Sequence, residues 1–224
     1  MGDFKYGGVI VSNCDIGIDN NKPADLPMAY GANNHGSIVQ IGDDWYIFYH
    51  RHTNNSWYCR QGCAEKIRFV GTQIPQVEMT SCGLNGGPLR GKGVYPSYIA
   101  CHMFTGEPQT YVGGAGHPYI MQDQCEEDKN SGYVTNITNG ATVGFRYFDC
   151  KNVTRFGIDV RGYAKGVFEV RTEWDGPVLG MIPVDFTNVW EEYEIPIRIK
   201  DGVHAIYLTF RGEGTADLYS FRLG

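Results

Sequence analysis

Asn33-Asn34-His35-Gly36-Ser37-Ile38-Val39-Gln40-Ile41-Gly42-Asp43-Asp44-Trp45-Tyr46-Ile47-Phe48-Tyr49-His50 decides the reading of this chain. Two runs with period-2 apolar spacing, 37–41 and 45–49, flank Gly42-Asp43-Asp44, and that pattern predicts a β-hairpin with a tight turn. A polar Asn-Asn-His cluster stands just before the first strand, where strand ends and loops build sites. Polar side chains at the mouth of a sheet, backed by an aromatic strand, suit a sugar better than a hydride or a phosphate.

The rest of the composition agrees with an all-β chain. Of 224 residues, 30 are glycine and 15 tyrosine, which favours turns and strands. No long segment carries a 3.6-residue period. The net charge of −6 is mild and not blocky, so neither nucleic acid nor a membrane surface is expected as a partner. No apolar run is long enough to cross a bilayer, and Met1-Gly2-Asp3-Phe4-Lys5 lacks the apolar core of a secretory signal. Seven cysteines, at 14, 59, 63, 82, 101, 125 and 150, are scattered rather than spaced as a disulfide framework. Cys59 and Cys63 have no second close pair to complete a zinc site. Free thiols favour a reducing compartment, the cytoplasm rather than the exterior, or an anaerobic source.

Two regions differ in texture. Residues 1–89 hold strand patterns at 8–12, 37–41, 45–49, 57–60 and 64–69 separated by polar loops. The glycine-dense stretch from Cys82 to Gly93 predicts a linker, placed at 90–96. In 97–224 short β runs recur at even spacing, with turns expected at Arg161-Gly162, Asp175-Gly176, Asp201-Gly202 and Glu213-Gly214. That spacing indicates a β-sandwich. The first region lacks a complete core of its own, as a propeller blade does without its neighbours.

Asn33-Asn34-His35-Gly36-Ser37, then Trp45 to Arg51 and Arg60-Gln61, resembles the last blade of a glycoside hydrolase family 43 propeller, and Phe4 to Ile10 resembles the end of the preceding blade. The remainder is similar to a family 6 carbohydrate-binding module, a jelly-roll sandwich. The similarity rests on Tyr133 to Gly140, Thr187 to Tyr193, Gly202 to Gly212 and Asp217 to Phe221. The resemblance implies the closing part of a five-bladed, inverting xylosidase or arabinofuranosidase. Its Asp/Asp/Glu catalytic set would lie upstream of this chain, which alone would be inactive. Two other readings stay open: a non-catalytic carbohydrate-binding or bracing module, and one half of a split enzyme whose missing blades sit on another polypeptide or are replaced by self-association. A xylan- or arabinan-type saccharide is the implied partner.

The resemblance places His35 near the propeller axis, holding a water or a calcium ion. A loop histidine bonded to backbone is the plain alternative. Arg60 is the candidate for pointing into the substrate pocket with Arg51 behind it, and structural ion pairing explains either arginine equally. His50 and His52 share a strand face and with His35 could approach a transition metal, without a carboxylate or cysteine at ligand spacing to help. Glu65 and Glu78 are the tempting acids, read here as solvated strand residues. In the sandwich, Trp190 falls where the family carries a ligand-stacking Trp, Tyr193 is its expected companion, and Trp174 is a second choice. Asp217 stands at the ligand-bonding Asn position, and Asn136 replaces the second stacking aromatic. Ala100, His102 and Tyr219 replace the oxygen ligands of the family's structural calcium, so no cofactor is expected in the sandwich.

Overall fold

The computed structural model describes residues 3, 5–11, 34–105, 116–122 and 132–224. β1 (Ser37–Ile41), β2 (Asp44–His52) and β3 (Arg60–Ile67) form an antiparallel sheet in that order. The opening hairpin has the expected register, from Ser37↔Phe48 to Ile41↔Asp44. Gly42 closes it at φ 61°, a conformation that costs glycine little. β2 pairs β3 from Trp45↔Ile67 to His52↔Arg60. The strands expected at 57–60 and 64–69 are therefore one strand. Trp57 precedes it in the turn that Asn54 and Asn55 make with positive φ. Of the strand expected at 8–12, the described part makes a single bridge, Val11↔Val77, and Ser12 lies outside the described residues, as do Asn33, Cys14 and Cys125. Cys59, Cys63, Cys82, Cys101 and Cys150 are free thiols.

The second assembly is a sandwich of β4 (Leu89–Arg90), β5 (Gly93–Pro96), β6 (His102–Phe104), β7 (Tyr119–Gln122), β8 (Gly132–Ile137), β9 (Thr142–Cys150), β10 (Val153–Arg171), β11 (Gly180–Val184), β12 (Thr187–Ile199) and β13 (Gly202–Leu223). The 90–96 segment is not a spacer. β4 runs parallel to β9, and β5 pairs with the end of β13. Gly91 is there for close packing: a Cβ at that position would lie 2.4 Å from Cys150 Cα.

Two of the expected turns are also not turns. β10 and β13 pair antiparallel from Phe156↔Leu223 to Arg171↔Tyr207, with one bulge between Asp159 and Val160. The first half of β10 holds β12 and its second half holds β11. β13 likewise pairs β9 first, then β8 and β5. Each long strand thus passes from one layer to the other. The glycines at 162, 166, 212 and 214 mark the passage, because the two backbones nearly touch there. A Cβ on Gly166 would sit 2.2 Å from the Arg211 carbonyl oxygen, and one on Gly212 2.2 Å from that of Lys165. Between the layers lies one core that includes Phe145, Phe148, Phe156, Phe168, Phe210 and Phe221, all fully buried.

The three-stranded sheet closes its own small core on the sandwich. Tyr49 and Met79 pack with Cys101 of the sandwich, and Trp174 leans on the same cluster. Three strands with so little covered face need such support to be stable. Buried Arg146 of β9 reaches the other way, donating from Nη2 to the Met79 carbonyl at 2.8 Å and from Nη1 to Glu78 at 3.2 Å. The Tyr147 hydroxyl donates to the other Glu78 oxygen at 2.7 Å.

Candidate functional site

β2 ends in a row of rings rather than a metal cage. His35 lies edge-on to His50 at 4.5 Å, His50 to His52 at 5.7 Å, and His52 to Trp57 at 5.5 Å. His35 is exposed, whereas burial holds the His50 imidazole below its usual range. The Asn34 side-chain oxygen accepts the His50 backbone N–H at 3.3 Å. Calcium requires several hard oxygens, and the side chains stacked about His35 offer imidazole nitrogen, so these residues do not fit that ion. No group of three or more His, Cys, Asp or Glu among the described residues is placed to hold a metal.

The two arginines expected near a substrate part company. Arg51 is 2% exposed and points away from solvent into the junction with the sandwich. Its Nε donates to Gln61 Oε1 at 2.8 Å, Nη2 to the Tyr98 carbonyl at 2.6 Å and Nη1 to the Ala100 carbonyl. A guanidinium with its donors satisfied by buried carbonyls is a clamp, not a substrate ligand. Arg60, at the start of β3, is exposed beside a cleft between the sheet and the sandwich.

Neither glutamate is a solvated strand residue. Glu65 is 4% exposed. It accepts the Tyr49 hydroxyl at 3.0 Å, the Thr80 N–H at 2.7 Å and the Thr80 hydroxyl at 2.7 Å. Burial raises its carboxyl to about 7 despite those donors. Glu78 is held by Arg146 and Tyr147. Both carboxylates line a cavity of about 310 Å³, yet every oxygen already has a donor from the protein. The sequence signal for this was present but ambiguous: alternation in β3 puts Glu65 on the same face as Cys63 and Ile67, the buried one.

Trp190 and Tyr193 do not form one platform. They stand three apart on β12, so their side chains leave opposite faces. Tyr193 packs on the core of the sandwich. Trp190 lies outside, between Tyr133 at 5.5 Å and Tyr219 at 5.1 Å. Its ring is capped: the Arg161 guanidinium carbon sits 4.3 Å from the Trp190 centroid and 4.8 Å from that of Tyr133. Asp217 completes the cap, paired with Arg161 at 3.2 Å and bonded by the Thr135 hydroxyl at 2.6 Å. Asn136, at φ 60°, donates its amide to the His117 carbonyl. Of the residues replacing family calcium ligands, Ala100 and His102 are fully buried, His102 stacked on Tyr207 at 5.4 Å.

Another cavity, of about 340 Å³, opens at Trp174. Trp174 is half-buried and set edge-on to Tyr207 at 5.6 Å, with Phe104 tilted against it at 5.7 Å. Thr142 and Thr209 line it, their hydroxyls 2.9 Å apart, beside Arg171 and Arg211. Arg171 donates to the Gly176 carbonyl at 3.0 Å and to Glu169 at 2.8 Å, and Arg211 donates to the same Glu169 oxygen at 3.3 Å. Sequence reasoning ranked Trp174 second and missed its companions. Alternation along β13 places Tyr207, Thr209 and Arg211 on one face, and that was the available signal.

Residues 116–224 match the family model described as carbohydrate binding module (family 6). The chain is 56% identical over 227 aligned positions, 98% of its length, to a xylosidase/arabinosidase of Thermoclostridium stercorarium. The chain is thus similar to part of a xylosidase/arabinosidase, and its residues 116–224 to a family 6 carbohydrate-binding module. It is also 26% identical, over 97% of its length, to an arabinoxylan arabinofuranohydrolase of Paenibacillus polymyxa. The chain spans 48% and 33% of these two relatives. Among solved structures, a family 43 arabinoxylan arabinofuranohydrolase of Bacillus subtilis, crystallised with cellotetraose, superposes on the whole chain. Its TM-score is 0.58 at 20% identity, and the match covers 45% of that enzyme. A family 6 module of Clostridium stercorarium, solved with cellobiose, covers 62% of the chain with a TM-score of 0.51 at 18% identity. These two likenesses concern the fold: the all-β architecture of a family 43 enzyme's sheet joined to a family 6 sandwich.

Proposed function

We propose that this chain is the supporting and saccharide-binding portion of a hemicellulose-degrading glycosidase of the xylosidase or arabinofuranosidase type, and that the carboxylates which cleave the glycosidic bond belong to other sequence. The observation that carries the reading is β1. Ile38, Val39 and Ile41 are 38%, 41% and 47% exposed, apolar side chains bare on both faces of a strand whose outer edge has no partner among the described residues. Such an edge calls for a neighbour. The relatives are about twice the length of this chain or more, and that additional length is the natural source.

Inverting hydrolysis needs one acid to protonate the leaving oxygen and one base to activate water from the other face, roughly 6.5–9.5 Å away. Glu65 and Glu78 cannot supply that pair, since Tyr49, Thr80, Arg146 and Tyr147 hold all their oxygens. The sandwich braces the sheet through Arg51 and Arg146 and offers a sugar the Trp174 cavity, in preference to the capped Trp190 face. His35 belongs to the closing edge of the catalytic unit rather than to its chemistry. Xylan- and arabinan-type saccharides are the ligands this reading names. The test is hydrolysis of nitrophenyl β-xyloside and nitrophenyl α-L-arabinofuranoside. The chain alone should turn over neither, and adding the part of the Thermoclostridium stercorarium relative that it does not match should create activity. Turnover by the chain alone defeats the proposal.

A further inference from the structure

The junction between sheet and sandwich is not sealed along its whole length. A cleft of about 310 Å³ remains, walled by Thr53, Asn54, Arg60 and Gln61 on one side and by Tyr98, Ile120, Gln122 and Gly132 on the other. That volume is at the small end of the usual range for ligand sites, about 300–1,000 Å³, and suits one or two sugar rings.

Its walls are fixed. Asn54, at φ 54°, donates its N–H to the Ile120 carbonyl at 2.7 Å and accepts the Gln122 N–H on its side-chain oxygen at 3.1 Å. Gln61 donates to the Tyr98 carbonyl at 3.1 Å, the same oxygen that Arg51 holds. The Tyr98 ring lies against Gly132, where a Cβ would come within 2.9 Å of it. The framework therefore holds both walls in register before any ligand arrives, which lowers the cost of binding.

Three polar heads in this cleft are uncommitted. The Arg60 guanidinium, the Gln122 side-chain amide and the Tyr98 hydroxyl have no hydrogen-bond or ion-pair partner among the described residues. Other arginines nearby differ: Arg51 and Arg146 are buried in backbone carbonyls and a carboxylate. Amide and phenol groups bond vicinal hydroxyls, the half-buried Tyr98 ring gives a C–H face something apolar to rest on, and a planar guanidinium pairs a carboxylate in two places.

We propose that this junction cleft is a binding site for an acidic saccharide, with Arg60 engaging a uronic acid carboxylate and Gln122 and Tyr98 engaging the adjoining ring. The proposal rests on the hemicellulose reading above, and it adds a specificity that neither the sheet nor the sandwich could provide alone. A side-branched glucuronoxylan fragment is the ligand class that carries both parts.

The test is calorimetric titration of the full chain with a glucuronic-acid-bearing xylo-oligosaccharide and with the neutral oligosaccharide of equal backbone length. The acidic ligand should bind about fivefold or more tightly than the neutral one in low salt, and about 0.5 M salt should erase the difference. Arg60→Gln, at an exposed position, should erase that preference by weakening the acidic ligand about fivefold or more, and leave neutral binding within about twofold. Gln122→Ala should weaken both ligands, and Trp174→Ala and Trp190→Ala should leave the acid preference intact. The proposal is overturned if Arg60→Gln keeps the preference, if neither ligand binds, or if Trp174→Ala or Trp190→Ala abolishes it. A lost or misplaced acid preference with neutral binding intact leaves the hemicellulose reading standing, whereas absence of all binding also defeats its saccharide-binding part, and turnover with the relative's remaining part tests the glycosidase part separately.

Discussion

Replacing Arg51 with methionine should loosen the three-stranded sheet from the sandwich without unfolding the sandwich. Methionine refills much of the aliphatic volume and removes three charge-assisted bonds, to Gln61 Oε1, to the Tyr98 carbonyl and to the Ala100 carbonyl. Gln61 continues to serve the Tyr98 oxygen, so the Ala100 oxygen loses the most. Bonds of this kind contribute about 1.5–3 kcal/mol each, and relief of the buried charge's desolvation offsets part of the loss. The net is about 2–4 kcal/mol, on the sheet side only. Peptide-resolved hydrogen exchange reads it directly, because local opening is reported element by element. At about 1.4 kcal/mol per decade, amides of β2 and β3 should exchange roughly 30- to 700-fold faster, while those of β10 and β13 stay as they were. A uniform change across all four strands, or less than a tenfold change in β2 and β3, would refute the idea that this arginine holds a dependent sheet onto an independently stable sandwich.

Glu65 makes stability pH-dependent in an unusual direction. Its folded carboxyl is raised to about 7 from an ordinary 4.5, so its stabilising contribution is full below pH 4.5 and lost as pH rises through 7. Urea midpoints at low and high pH should show wild type losing up to about 3 kcal/mol relative to Glu65→Gln across that window, and a constant gap would contradict the burial argument. Arg161→Ala uncovers the Trp190 ring at a cost of about 1 kcal/mol, so iodide should quench Trp190 more strongly than in wild type, and equal quenching would count against the cap. Gly214→Ala places a Cβ 1.6 Å from the Tyr163 carbonyl oxygen at a φ of 79°. It should cost about 3 kcal/mol or more in thermal unfolding, and a neutral result would mean that β10 and β13 do not approach there as described.

The hairpin at 37–49 was legible because its turn and alternation are local, and local rules are what a sequence displays most openly. The glycines misled for one physical reason. Near Gly91, Gly162 and Gly214 a missing side chain lets two backbones touch, and a sequence does not distinguish that use from a turn or a spacer. Trp190 and Tyr193 failed as a pair on parity alone, which the strand period already contained. Arg51, Glu65 and Arg146 were beyond reach, since their roles depend on partners such as Ala100, Thr80 and Met79, contributed by separate elements. The cap of Arg161 over Trp190 likewise joins β10 to β12 and has no local trace.

The central claim is that these residues support and bind while the cleavage chemistry lies elsewhere. A continuous assay of the purified chain on nitrophenyl α-L-arabinofuranoside, run at high protein concentration, tests it most directly. The rate should equal the blank. A rate proportional to protein concentration, retained after Glu65→Gln and Glu78→Gln alike or lost with either, would contradict it.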